Sequence, residues 1–450
     1  MRILQVTNGY PPRAFGGVET HTHRLAAALH ARGHEVRIFA RHSDPAGEDG
    51  DVVHEEVDGL AVTSVVNDAR GGRFRDHFLS AGVAEAFRAE ILSARPDIVH
   101  FQHLIGLSAD LPAIARAAGI RCVATVHEYW YACHRVMLQR ADLSTCSGPA
   151  RNDCVACVLG DEASEREYAA AGSEPQIAAG GSSSGLLARL RERLLPAAAP
   201  IAGPPVAYER FAAMREALDC YSRITTPSRF VIEEFARQGM PLREATTRAI
   251  PLGLPAASTA PLPARTAPVS KDAPLRLLFI GHLLPHKGPQ VLLDALRLAP
   301  ELPIHLDLYG TRWPEHAFET EFGPRLAAES RATAHGRFAD RDLSRILAET
   351  DMLVVPSTCP ESYGIATREA HQAGRPVLST DRGALPESVR DGIDGLIVAG
   401  EDPRAMAQAL RRVVEEEDLL AGLSAGARGA QIPSMDAYAA TLESFLYEDG

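Results

Sequence analysis

RILQVTNGYPPRAFGGVETHTHRLAAALHARGHEVRIFA, residues 2–40, decides the fold. It opens on a short apolar run, RILQVTN (2–8), that reads as a buried strand. A turn-forming stretch with a glycine pair, Gly16-Gly17, follows. GVETHTHRLAAALHARG (17–33) then places Leu25, Ala28 and Leu29 on one helical face and stops at Gly33. HEVRIFA (34–40) is a second strand. Strand, loop, helix, strand is the unit of a parallel sheet covered by helices.

The unit recurs outward from there. Strands are expected at 97–103 and 121–127, with helices at 80–96 and 111–119 between them. The rhythm returns at 222–239 and again in the second half. There LRLLFIG (275–281), IHLDLYG (304–310), MLVVPS (352–357) and RPVLST (375–380) alternate with helices near 288–298, 315–328, 341–349 and 363–373. The tail, 403–446, reads as helical throughout. The expected fold is α/β, with two Rossmann-like doubly wound domains facing across a cleft. The first domain spans 1–255, with an insertion at about 132–205 that breaks the pattern. A Pro- and Ala-rich linker covers 256–274, the second domain 275–430, and a final helix, 431–450, is expected to pack back on the first domain.

Composition narrows the function classes. A chain of 450 residues with 46% hydrophobic and 23% charged residues is globular and long enough for two cores. A formal net charge of -12 excludes a nucleic-acid backbone as the natural partner. No apolar run approaches the roughly 18 residues of a spanning helix. The N-terminus lacks a signal h-region and reads as a strand, so the expected location is cytoplasmic. A basic stretch near 184–195, SGLLARLRERLL, is expected to pack on its own domain or to touch an anionic membrane surface at the inner face.

Three motifs lie where ligands of open α/β sheets bind, at the carboxyl ends of strands. The first is the Gly16-Gly17 loop, whose amides and following helix N-terminus suit a diphosphate. It is not the G-x-G-x-x-G fingerprint, which weakens a nicotinamide reading. The second is GHLLPHKG (281–288). Lys287 is one of only two lysines in the chain, and a compact point charge there suits phosphate. The third is PSTCPESYGIATREA (356–370), with Glu361 in a loop and Glu369 inside the following helix. Eight residues of continuous helix span about 12 Å, at about 1.5 Å each. A glycosidase carboxyl pair needs about 5–9.5 Å, so these carboxylates read as grips on two ends of one ligand. The amides of Gly364 and Ile365 open the helix between them.

Together these pieces resemble the retaining nucleotide-sugar glycosyltransferases of family 4, which have the GT-B architecture. The resemblance rests on Gly16-Gly17, on His127 closing a strand, on His286-Lys287-Gly288 and on Glu361-x7-Glu369. It implies that Glu369 holds the donor ribose and Lys287 its diphosphate. It implies that Glu361 and His127 contact the donor sugar, with Gly16, Gly17, Gly364 and Ile365 lining the donor site. It implies a nucleotide-sugar donor, a saccharide or lipid-linked acceptor and a role in polysaccharide biosynthesis; no Asp-x-Asp motif at a strand end stands ready to hold a divalent metal, which fits catalysis without a cofactor. His282 stands where the family usually has Arg, which gives a weaker, pH-dependent phosphate contact. An epimerase of the same architecture and a catalytically inactive nucleotide-sugar binder are the competing readings.

Cys133, Cys146, Cys154 and Cys157 end in a C-x-x-C within the insertion. A structural zinc site, free thiols and disulfides are all compatible with that spacing.

Overall fold

The computed structural model describes residues 1–68, 74–140, 144–146, 148, 154, 157, 205–256, 261–314 and 316–448. The basic stretch at 184–195 and most of the insertion lie outside the described residues.

In the first half, β1 (Arg2–Thr7) is buried at every position after Arg2, as its apolar run requires. The helix α1 (Gly17–Ala31) turns the chain over the sheet and buries Leu25, Ala26 and Leu29. It leads to β2 (Glu35–His42), parallel to β1. β3 (Val52–Val57) and β4 (Leu60–Val66) form an antiparallel hairpin at the sheet edge. Its turn is Asp58-Gly59, both with positive φ. β5 (Ile98–Phe101), β6 (Arg121–Thr125), β7 (Arg223–Thr226) and β8 (Thr247–Ala249) complete the sheet. Its order is β3-β4-β2-β1-β5-β6-β7-β8, parallel except for the hairpin.

The second half carries its own parallel sheet, ordered β11-β10-β9-β12-β13-β14. The strands are β9 (Leu275–Ile280), β10 (Ile304–Tyr309), β11 (Ala332–Gly336), β12 (Met352–Val355), β13 (Val377–Thr380) and β14 (Gly395–Val398). Helices Pro289–Leu298 and Pro403–Glu415 cover one face, through Leu292, Leu293, Leu296, Met406 and Leu410. Each sheet thus has its own core, as two Rossmann-like domains demand.

The tail departs from the expectation of continuous helix. It is broken into Pro403–Glu415, Leu419–Arg428 and Met435–Leu442, with a closing π turn at Glu443–Tyr447. Asp418 at positive φ makes the first break, and Pro433 stands in the second. Across that second break the chain returns to the first half. Leu254 N donates to Pro433 O at 3.0 Å, and Met435 N donates to Leu254 O at 2.7 Å. Tyr438, Leu442, Phe445, Leu446 and Tyr447 then join a core with Ile3, Leu25, Leu29 and Ile38. Outside it, Arg32 forms ion pairs with Asp436 and Glu443 at 2.8 and 2.7 Å.

Among the described residues no helix is long and apolar enough to cross a membrane.

Candidate active site

In the second sheet β9 has β10 on one side and β12 on the other. The order reverses between β9 and β12, so the loops that follow them diverge and leave a crevice. Both loops carry motif residues. After β9 a short 3-10 turn, Pro285–Lys287, ends at Gly288. Gly288 has φ 73°, and a Cβ there would lie 1.8 Å from Pro356 O. Only glycine permits that approach. The loops are then tied together: Thr358 N donates to His286 O at 2.9 Å and Thr358 Oγ1 to Pro285 O at 3.2 Å.

That junction sets Lys287 Nζ 2.7 Å from Glu361 Oε1. Ser357 Oγ donates to the same oxygen at 2.6 Å. Burial works against both charges, yet each partner outweighs it. Lys287 is held above its ordinary range by the Glu361 carboxylate, and Glu361 below its own by Lys287 and the Ser357 hydroxyl. Both are charged at neutral pH. The sequence reading placed these two residues on different parts of a donor; the structure brings them into contact.

Glu369 lies inside the helix Ile365–Gln372, whose N-cap, Gly364, has φ 72°. No side chain caps this end, so its first amides are open to a ligand. Burial pushes the Glu369 carboxyl up to about 7, with Arg24 opposing at 3.9 Å. Arg24, on α1, also pairs with Asp340 at 2.8 Å, so one arginine of the first half bridges two carboxylates of the second. Sequence reasoning missed Arg24. Its place two helical turns after Gly17 was the available signal.

Gly16 is the extended N-cap of α1. A Cβ at Gly16 would fall 2.3 Å from Glu19 Oε2, whereas one at Gly17 would meet open space. Glu19 Oε1 accepts from Asn8 Nδ2 at 2.8 Å. The space freed at Gly16 is therefore filled by a carboxylate of the same helix, and the open face of the pair is at Gly17. Across the cleft, His282 is drawn below its usual range by desolvation, then by Lys287 and Arg337, against the pull of Glu19. His282 is a neutral ring where an arginine was the family's cation. Arg337 lies 5.7 Å from the Phe15 ring, a second cation at the cleft that sequence reasoning did not single out.

His127 follows β6 and is 6% exposed. Burial, then His21, His103 and His100, hold its ring neutral well below the usual range. Its Nε2 lies 2.8 Å from Gln102 Oε1.

The four insertion cysteines are unpaired and half-buried. Burial pushes the Cys154 thiol up to about 12, and Cys133, Cys146 and Cys157 all lie near enough to add to that shift. Among the described residues no three His, Cys, Asp or Glu side chains already close on one point as metal ligands.

Two family models match the chain. Glycosyltransferase Family 4 covers residues 15–149 and Glycosyl transferases group 1 covers residues 274–416. The chain belongs to the family 4 glycosyltransferases. The first model takes in the Gly16-Gly17 loop and His127, the second Lys287, Glu361 and Glu369. Among curated relatives of this family 4 chain, a D-inositol 3-phosphate glycosyltransferase of Geodermatophilus obscurus is 37% identical over 174 residues. That is 36% of this chain and 37% of the relative. Its counterpart from Streptomyces coelicolor is 35% identical over 175 residues, 36% of this chain and 38% of that one. The matched region thus spans well under half of these relatives. Solved structures share the fold over the full length. Sucrose-phosphate synthase from Thermosynechococcus elongatus superposes with a TM-score of 0.65 at 17% identity, covering 99% of this chain and 98% of that one. Anabaena HepE in complex with UDP gives 0.63 at 15% identity, covering 99% of each. The family 4 chain therefore has the GT-B fold.

Proposed function

We propose that this protein transfers a glycosyl group from a nucleoside-diphosphate sugar to a hydroxyl of a saccharide or lipid-linked acceptor, with retention of anomeric configuration. The observation that carries the reading is the Lys287–Glu361 pair, 2.7 Å long, at the point where the second sheet reverses its order. In this reading Lys287 lies against the donor diphosphate and Glu361 accepts from donor-sugar hydroxyls. The C1–O bond breaks with its electrons moving to the departing phosphate oxygen. Lys287 and the open amides of Gly364 and Ile365 stabilise the charge that builds there, as fixed dipoles and charges do in a water-poor site. The acceptor oxygen attacks C1 from the face the diphosphate leaves, and its proton passes to a phosphate oxygen. Glu369 accepts from the ribose hydroxyls.

HepE, solved with UDP and with UDP-glucose, shares this fold, which supports a uridine nucleotide as the first donor to try. Incubation with UDP- and GDP-sugars, with and without an acceptor panel, tests the reading. Acceptor-dependent release of the nucleoside diphosphate is expected. An epimerised sugar nucleotide without acceptor, or binding without turnover on any acceptor, overturns it.

A structural zinc on Cys133, Cys146, Cys154 and Cys157 is a separate proposal, supported by the nearness of the other three thiols to Cys154. Metal content far below one zinc per chain in reducing buffer overturns it. Contact of the 184–195 stretch with the cytoplasmic membrane face is likewise proposed, and vesicle sedimentation tests it.

A further inference from the structure

His127 is the end of a buried polar chain that crosses the first sheet. Gln102 Oε1 meets His127 Nε2 at 2.8 Å, and Gln102 Nε2 donates to Gln5 Oε1 at 2.8 Å. The same amide nitrogen lies 3.2 Å from both ring nitrogens of His100. His100 Nδ1 is 2.7 Å from the Tyr447 hydroxyl, and its Nε2 is 2.8 Å from Thr125 Oγ1. Gln5, His100, Gln102, Thr125 and Tyr447 are each at most 2% exposed. A polar chain in a sheet interior brings a desolvation cost that apolar packing avoids, so its presence asks for a role. This one runs from the cleft to the last turn of the tail.

We propose that Gln102, His100 and Tyr447 are positioning residues for His127. Gln102 keeps the ring proton on Nε2, and Tyr447 makes that arrangement depend on the docked tail. The proposal rests on the reading of the cleft as a sugar-transfer site. A carboxamide has one donating and one accepting end. With its nitrogen given to Gln5, the Gln102 oxygen faces His127, and only the Nε2–H tautomer completes the contact. His127 Nδ1 has no protein partner among the described residues, so its lone pair is the free one. Burial holds His100 down at about 3 and His127 neutral as well, so each ring carries a single proton and its placement is the whole choice. His127 then offers an acceptor to a sugar hydroxyl, never a donor to the leaving phosphate. Tyr447 reaches this chain only from the tail, through the ring contact with His100 at 5.7 Å and the 2.7 Å bond.

The test uses the full chain with 15N-labelled histidine, His127 being assigned by its loss in His127→Gln. Gln102→Met removes the acceptor at similar volume, Gln102→Glu keeps it, and Tyr447→Phe cuts the far end. Wild type and Gln102→Glu are expected to show the protonated Nε2 and bare Nδ1 of one tautomer. Gln102→Met is expected to show exchange between tautomers, and Tyr447→Phe a smaller shift the same way. On activity, Gln102→Met lowers kcat by roughly tenfold. Its donor KM stays within about threefold, and Gln102→Glu recovers most of the loss. A proton on Nδ1 in wild type, or His127 signals unmoved in Gln102→Met, overturns the proposal. So does a tautomer that shifts as expected with kcat unchanged. The nitrogen shifts need no turnover, so an inactive protein would sink the sugar-transfer reading while leaving the tautomer result to be read on its own.

Discussion

Lys287 and Glu361 hold each other 2.7 Å apart, although 74 residues separate them in the chain. The lysine side chain is 30% and the carboxylate 14% exposed, so the pair is partly screened yet open to a ligand. Removing one partner strands the other charge. Lys287→Met is therefore expected to lose roughly 2 kcal/mol of stability, discounted for that exposure. The double variant Lys287→Met/Glu361→Gln recovers much of that stability and none of the activity. Thermal melts and sugar-transfer rates on the same samples check both halves, and restored turnover in the double variant would falsify the site assignment.

Glu369 makes the fold and donor binding respond to pH in opposite directions. Its folded carboxyl titrates near 7 against an ordinary 4.5, because burial disfavours the charge. Between those values the folded chain holds a proton that the unfolded chain has lost, so stability falls as pH rises through the window. The swing is on the order of 3 kcal/mol. A carboxylate that accepts from ribose hydroxyls must be ionised, so donor affinity rises with pH through about 7. Glu369→Gln is expected to flatten both curves. Melting temperature and donor titrations across that range measure them.

Gly288→Ala tests the junction of the two loops. The added methyl would fall 1.8 Å from Pro356 O at a φ of 73°. The loop must shift, carrying Lys287 away from Glu361. A loss of about 2 kcal/mol or more is expected, with activity falling further than the melt alone explains. An unchanged melting temperature would contradict the packing.

Leu446→Ala tests the tail. Leu446 is fully buried among residues of β1, β2 and α1. The substitution is expected to lower stability by about 2–5 kcal/mol, read from urea unfolding. A loss under about 1 kcal/mol would mean that the tail contributes little to that core.

The two-sheet plan was legible because period and punctuation agree: RILQVT shows no polar alternation and is buried at every position after Arg2, and Gly33 ends the helix that leads to β2. The hairpin at 52–66 was missed although Asp58-Gly59 between β-branched runs announces such a turn. The edge strands β8, β11 and β14 went unread. In the site, strand ends and glycines marked Lys287, Glu361 and Glu369. What they touch was not legible. Arg24 beside Glu369, Glu19 in the space at Gly16 and Gln102 behind His127 are tertiary meetings, with no local pattern to announce them.

The crossing at Leu254 and Pro433 has a consequence for recombination. Each half has its own core, but the first is not one uninterrupted stretch of gene, because residues 435–447 complete it. A single cut in the 256–274 linker would leave β1 and α1 without Tyr438, Leu442 and Leu446. Exchanging the second half with that of a relative therefore needs two junctions, one before Leu275 and one after Arg428, so that the tail travels with the half it covers.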